Sequence, residues 1–357
     1  MKRVGIKTVL AGFTGLALVA AVGSSLSAAG SSAAGAAKVT WAPMINSIVA
    51  PSKNLSESHW LSYRGKFTKN SVDEHLDDPL LKGAIDIHSH FGPDAYDRQW
   101  DAFEIAKLAQ QRGMRGIVIK NHWSESAGLA YLIRKHGDVP GLEVYGGLVL
   151  NVPEGGINPQ AVRYFAEVEG RFGKVVWMPT HDSEKEVKFL KETRPYVVVS
   201  RNGRLLPTVF EVLDLIAKYK LTLATGHVSP AEMVQIVSEA RRRGIEGIII
   251  THPGLGPMFT DPTMDQLKQV TGMGAYAEVV VSELLGPGKA AAINTIRTLG
   301  AQHCIVSTDS GLIGTPNHPD AMVKAIRILR EAGFSEAELN LLFRANPAKV
   351  LGLPVQS

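Results

Sequence analysis

Two histidines one residue apart stand in the run Ile85-Asp86-Ile87-His88-Ser89-His90-Phe91-Gly92-Pro93. Side chains of an extended strand alternate between faces, so His88 and His90 leave the chain on the same side. Two neutral imidazoles converging in this way suit a divalent transition metal. Alone, the pair marks only two polar residues at a strand end. Three further runs have the same form: Leu223-Ala224-Thr225-Gly226-His227, Ile248-Ile249-Ile250-Thr251-His252-Pro253 and Ile305-Val306-Ser307-Thr308-Asp309-Ser310-Gly311. Each places a ligand or an acid–base group just after an apolar stretch. A bound divalent metal acidifies its water towards neutral pH. A neighbouring carboxylate can then take the proton and return it to a leaving group. Asp309 is the carboxylate available, although an aspartate here would also serve as a helix cap.

These groups work together only if the chain brings the ends of distant strands to one rim. From residue 83 onward, short β-branched or apolar runs alternate with helix-period stretches. The spacing predicts strands at Ala84–His88, Gly116–Lys120, Glu143–Leu150, Lys174–Met178, Leu221–Thr225, Gly247–Thr251, Ala275–Val281 and Cys304–Thr308. Helical patterns lie between them at Phe103–Arg112, Ala161–Glu169, Val209–Tyr219, Ala231–Arg243, Ala290–Leu299 and Pro319–Ala332. Such alternation implies a parallel sheet covered by helices, and eight units imply a closed (β/α)₈ TIM barrel over residues 83–357. A doubly wound open sheet would carry a glycine-rich phosphate loop after its first strand, where this chain has His-Ser-His. The run Gly286-Pro287-Gly288-Lys289 lacks the spacing and the Ser or Thr of a phosphate loop. An insertion at residues 182–207 contains a helical piece at Glu184–Glu192 and an Arg201-Asn202-Gly203 hairpin signal. On a barrel it would stand on the active-site side, as a pocket wall or as a structural excursion.

The 357 residues are 45% hydrophobic and 20% charged, a composition that argues against disorder. The net charge of +4 is inflated by the first 37 residues, which hold three basic and no acidic side chains; the rest is nearly neutral. That gives no electrostatic reason to expect nucleic acid as a partner. Met1-Lys2-Arg3, the apolar stretch Val9 to Val22 and small residues at Ser27-Ala28-Ala29 and Gly35-Ala36-Ala37 read as an export signal over residues 1–37. Export to the periplasm or beyond is the expectation, with no stable membrane span after cleavage; an uncleaved anchor is the alternative. Residues 38–82 read as an arm leading into the barrel. Cys304, the one cysteine, excludes an internal disulfide and reads as a core residue.

At this point the chain resembles the amidohydrolase superfamily, whose members carry His-x-His after strand 1, His after strands 5 and 6, and Asp after strand 8. The corresponding residues here are His88, His90, His227, His252 and Asp309, and the closing Asn346-Pro347-Ala348-Lys349-Val350-Leu351-Gly352-Leu353 is similar as well. The resemblance covers roughly residues 83–353. It implies a metal-dependent hydrolase that opens a C–N or C–O bond, of an amide, ester or lactone, in a small molecule. It implies one or two divalent ions, zinc first and manganese, iron or cobalt next. It further implies that Asp309 binds metal and shuttles the proton, and that His252 binds a second metal or polarises the substrate. Two-metal members usually carry a carboxylated lysine at the end of strand 4, and this chain has none there. Lys120, in Ile117-Val118-Ile119-Lys120-Asn121-His122, is the candidate for that bridge or for a substrate-binding cation, since a bare buried ammonium is costly.

His122, on the same face as Lys120, and His181 after strand 4 are candidate substrate contacts. Arg98, Arg201 and Arg204 fall where an anionic substrate or water would meet them, and Arg201 joins the substrate candidates. Asp94 and Asp182 are candidates to support the histidines from behind. A metal-dependent decarboxylase or isomerase, or an inactive ligand-binding barrel, would use the same rim, because a fold does not fix a chemistry. The sequence leaves a homo-oligomer open.

Overall fold

Runs such as Ile248-Ile249-Ile250, apolar on both faces, are stable only when buried on both sides. In the computed structural model, which describes residues 47–51, 54–63 and 74–356, eight such runs form one parallel sheet. They are β1 (Ile85–Ser89), β2 (Gly116–Ile119), β3 (Glu143–Val149), β4 (Gly173–Trp177), β5 (Thr222–Ala224), β6 (Ile248–Ile250), β7 (Tyr276–Val280) and β8 (Cys304–Ser307). Each pairs with the next, with registers such as Val176 opposite Leu223 and Glu278 opposite Ile305. The circle is completed at the C-terminal rim. There the amide of Asp309 donates to His88 O (2.8 Å) and that of His90 to Ser310 O (3.0 Å). All eight expected strands are present, with ends shifted by a residue or two, as is usual for element boundaries.

Each strand is followed by a helix: α1 (Ala102–Gln111), α2 (Ala127–His136), α3 (Pro159–Glu167), α4 (Pro207–Lys218), α5 (Pro230–Arg242), α6 (Met264–Gly272), α7 (Lys289–Leu299) and α8 (His318–Glu331). Their ends follow local chemistry. Asp101 with Glu104 and Ser229 with Glu232 form reciprocal capping boxes at α1 and α5. Arg241 and Arg242 sit in the last turn of α5, where the helix dipole favours cations. Inward residues such as Ile105, Ile133, Val212, Ile236 and Ile326 are fully buried against the sheet. Each contributes roughly 1.5–3 kcal/mol of apolar burial.

A second cluster, including Val118, Val175, Trp177, Ala224, Ile249 and Ile305, fills the barrel together with Ala348, Val350 and Leu351. The helix Asn346–Val350 closes the N-terminal end: Thr222 Oγ1 donates to Val350 O (2.7 Å), and a Cβ on Gly247 would lie 2.1 Å from that oxygen. The barrel floor is therefore packed shut, and a ligand must enter at the opposite rim.

Residues expected in the export signal lie outside the described residues. Among those described, no helix is long and apolar enough to cross a membrane. Ile48–Val49 pairs antiparallel with Tyr196–Val197 of the insertion, so the arm is tied to that segment. Asp78 is buried, caps the short helix Pro79–Leu81 and pairs with Arg330 (2.6 Å).

Candidate metal centre

The strand-end residues meet at the open rim. His88 Nε2 and His90 Nε2 lie 2.9 and 3.0 Å from Asp309 Oδ1, and Lys120 Nζ lies 2.8 Å from His88 Nε2. His227 Nε2 and His252 Nε2 face one another at 3.3 Å. Metal–nitrogen bonds of about 2.0–2.1 Å at a tetrahedral angle separate two ligand nitrogens by roughly 3.3–3.4 Å. Bonds of that length at a right angle separate them by roughly 2.9 Å. Both donor sets thus have spacings that one ion can span.

Six imidazoles form a closed circle, in the order His88, His90, His122, His181, His227, His252 and back to His88. Consecutive ring centroids lie 3.8–5.8 Å apart. Five strands supply them, and local backbone turns aim them. Gly226 (φ 61°), His252 (φ 23°) and Asp309 (φ 49°) occupy the left-handed region, which non-glycine residues seldom enter except at sites held by their surroundings. A Cβ on Gly226 would lie 2.2 Å from Met178 O, so only glycine lets the chain turn there and present His227.

Two buried carboxylates orient the histidines from behind. Glu278, in β7, lies 3.0 Å through Oε1 from His88 Nδ1, and the same oxygen accepts from Ser307 Oγ (2.6 Å). Its Oε2 accepts from the amide of His252 (3.2 Å). Glu186, in the insertion helix Glu184–Phe189, meets His181 Nδ1 through Oε1 (2.9 Å) and His227 Nδ1 through Oε2 (2.5 Å). A carboxylate on Nδ1 fixes the proton there and leaves the Nε2 lone pair for a metal. Trp60, from the arm, stacks on His181 (4.3 Å) and donates from Nε1 to Glu186 Oε1 (2.6 Å).

The charges do not balance within the protein. Burial is the main cause holding His227 near pKa 4 and His252 near 3, and it pushes His90 and His122 well below their usual range. For Glu186, Glu278 and Asp309, burial opposes ionisation, but the surrounding histidines outweigh it and hold all three low. Burial lowers Lys120 to about 8 against the pull of Asp309 and Glu278. Arg98 and Arg194 are tied to Asp94 and Asp182, so among the described residues Lys120 is the cationic side chain left facing the three ionised carboxylates. His88 registers the excess: burial works against its charge, yet Asp309 and Glu278 raise it to about 9. Buried uncompensated charge is costly, and a divalent cation at the Nε2 atoms would remove the imbalance.

The cavity above these groups is about 300 Å³ and is lined by His90, His122, His181, His227, His252 and Asp309 together with apolar side chains. Several expectations are corrected. Arg201 lies on an exposed two-residue strand, Ser200–Arg201, outside the cavity wall, because the tight Asn202-Gly203 turn carries it towards solvent. Arg98, read as equally open to water, is buried and lines the cavity. Asp94 and Asp182 do not back the histidines: Asp94 holds Arg98, and Asp182 holds Arg194 and the amide of Val152. Asp309 caps no helix, since Asn317 caps α8. Glu186, Glu278 and Trp60 were not anticipated.

No curated protein matches the sequence. Among solved structures, an amidohydrolase from Pseudomonas aeruginosa aligns over 76% of this chain and 98% of its own, at 13% identity and a TM-score of 0.53. An organophosphorus hydrolase from Deinococcus radiodurans aligns over 76% and 92%, at 15% identity and 0.52. An amidohydrolase from Burkholderia multivorans, solved with zinc bound, aligns over 76% and 99%, at 13% identity and 0.52. At these identities the likeness is one of fold, and it is the fold that the strand-end residues led us to expect. A family model described as a family of unknown function, DUF6282, matches residues 83–278, more than half of the sequence, and the chain belongs to that family.

Proposed function

We propose that this chain is a metal-dependent hydrolase that cleaves a C–N or C–O bond (amide, ester or lactone) of a small molecule. The observation that carries the reading is the pairing of inward Nε2 atoms with buried carboxylates that leave excess negative charge. His88, His90 and Asp309 would hold one divalent ion, and His227 and His252 a second. Zinc suits the donor set best, and manganese, iron or cobalt also accept it. A divalent ion there supplies an acidified water and polarises the bond under attack. Asp309, one-fifth exposed to the cavity, takes the proton of the attacking water at its carboxylate and delivers it to the leaving group. Glu278 and Glu186 keep His88 and His227 in the ligand tautomer. Lys120 offsets the charge of Asp309 and Glu278 and, if carboxylated, would be the candidate for a further metal ligand. His122 and His181, on the cavity wall, contact substrate. The fold shared with amidohydrolases and an organophosphorus hydrolase supports this reading. The basic and then apolar start of the chain supports export.

The test is turnover of an ester, lactone and amide panel by chelated protein, by protein reloaded with zinc or manganese, and by an Asp309→Asn variant. The expected result is hydrolysis restored by metal and lowered at least a hundredfold in the variant. Equal rates with and without metal, or in Asp309→Asn, would overturn the proposal.

A further inference from the structure

We infer that the substrate is uncharged and carries an apolar group of several carbons beside the bond that reacts; this rests on the metal-hydrolase reading above. Beside the histidines, the cavity lining includes the apolar side chains of Trp60, Leu255, Phe259, Val281, Leu285 and Leu312. Phe259 stands edge-on to both His227 (4.9 Å) and His252 (5.0 Å), so apolar surface begins directly beside the second donor set. At the mouth, Leu285 and Leu312 are 45% and 43% exposed. Large aliphatic side chains left that open at a cavity entrance mark a surface that a ligand covers.

Beyond the metal donors, the cavity lining among the described residues also offers no free side-chain cation for an anion. Arg98 is the one arginine in its lining, and its guanidinium is held at 2.8 Å by Asp94, whose side chain is fully buried. Its Nη2 donates to Tyr96 Oη (2.9 Å) as well. The positive charge is therefore cancelled where it stands, and the carboxylate facing the cavity is that of Asp309. A substrate carboxylate or phosphate on this wall would lose its water and find no free cation, whereas an alkyl or aryl group would gain by burial.

The experiment measures binding rather than turnover. Zinc-loaded protein is titrated by calorimetry with acetohydroxamate, hexanohydroxamate and adipic acid monohydroxamate. The metal-chelating end is constant, and the tail is absent, apolar or terminated by a carboxylate. Hexanohydroxamate should bind at least tenfold tighter than acetohydroxamate, and the carboxylate tail should lose most of that gain. A Leu285→Ser/Leu312→Ser variant, altered only at exposed side chains, should cut the gain to threefold or less. Equal affinities for the three would overturn the inference. Tightest binding of the adipic compound, lost in Arg98→Leu, would overturn it in favour of an anion site at Arg98. Zinc-loaded protein that binds none of the three would instead remove the metal reading on which the inference rests.

Discussion

Replacing Glu278 by glutamine keeps the size of a buried side chain and removes its charge. Glu278 accepts from donors on both sides: His88 Nδ1 and Ser307 Oγ meet one oxygen, and the amide of His252 meets the other. An amide has one oxygen, so glutamine can satisfy only one side. If its NH₂ faces His88, the imidazole must carry its proton on Nε2 and loses the lone pair that would bind metal. If the NH₂ faces His252, a donor meets a donor in a buried site, at a cost of about 1–3 kcal/mol. Either way metal affinity should fall about 10- to 100-fold, the usual effect of losing a carboxylate behind a ligating histidine. With metal at a hundredfold the wild-type Kd, binding stabilises the fold by about 2.7 kcal/mol. A tenfold weaker site keeps about 1.4 kcal/mol, and a hundredfold weaker one about 0.4 kcal/mol. The chelated variant should be less stable than chelated wild type near neutral pH, since the histidines hold Glu278 below its usual range and its ionised form therefore stabilises the fold. The assay is a competitive zinc titration of Glu278→Gln beside melts with and without metal. Affinity unchanged within threefold in a folded variant would refute the idea that Glu278 sets the tautomer of His88.

Three further outcomes follow from the geometry. Trp60→Phe keeps a ring on His181 but loses the hydrogen bond to Glu186, and should lower kcat/KM about 5- to 30-fold, or about 1–2 kcal/mol for a part-buried bond to a charged group; unchanged kinetics would show that the arm is passive. Gly226→Ala should cost at least about 2 kcal/mol in urea melts, because it forces a Cβ to 2.2 Å from Met178 O at positive φ. Burial raises Glu283 from its ordinary 4.5 to about 7. Its contribution is therefore full below pH 4.5 and lost as the pH rises to about 7. Chelated Glu283→Gln should match wild type below pH 4.5 and gain up to about 3 kcal/mol on it above pH 7, read from urea melts across that range.

The eight strands were legible because each is a β-branched run too apolar for a surface. Five of the residues that meet at the rim were legible because each stands at the end of such a run. Glu278 carried a signal that strand-end reasoning passes over: a lone carboxylate inside the apolar run Tyr276-Ala277-Glu278-Val279-Val280, which must find buried donors. Glu186 gave none, since a glutamate in a short amphipathic helix reads as solvated until the insertion folds over the rim. Trp60 lies 28 residues before His88 on a separate arm, and only the tertiary path brings it onto His181. Arg98 and Arg201 were indistinguishable as loop arginines; Asp94 buries one, and a two-residue turn exposes the other.

Metal content tests the central claim most directly. Protein purified without chelator, and its His88→Ala/His90→Ala variant, would be analysed for transition metals per chain. The two donor sets predict one or two equivalents in the wild type and loss of at least one in a variant that remains folded. Wild-type protein that takes up no zinc or manganese even on incubation, or a folded variant that holds as much as wild type, would contradict it.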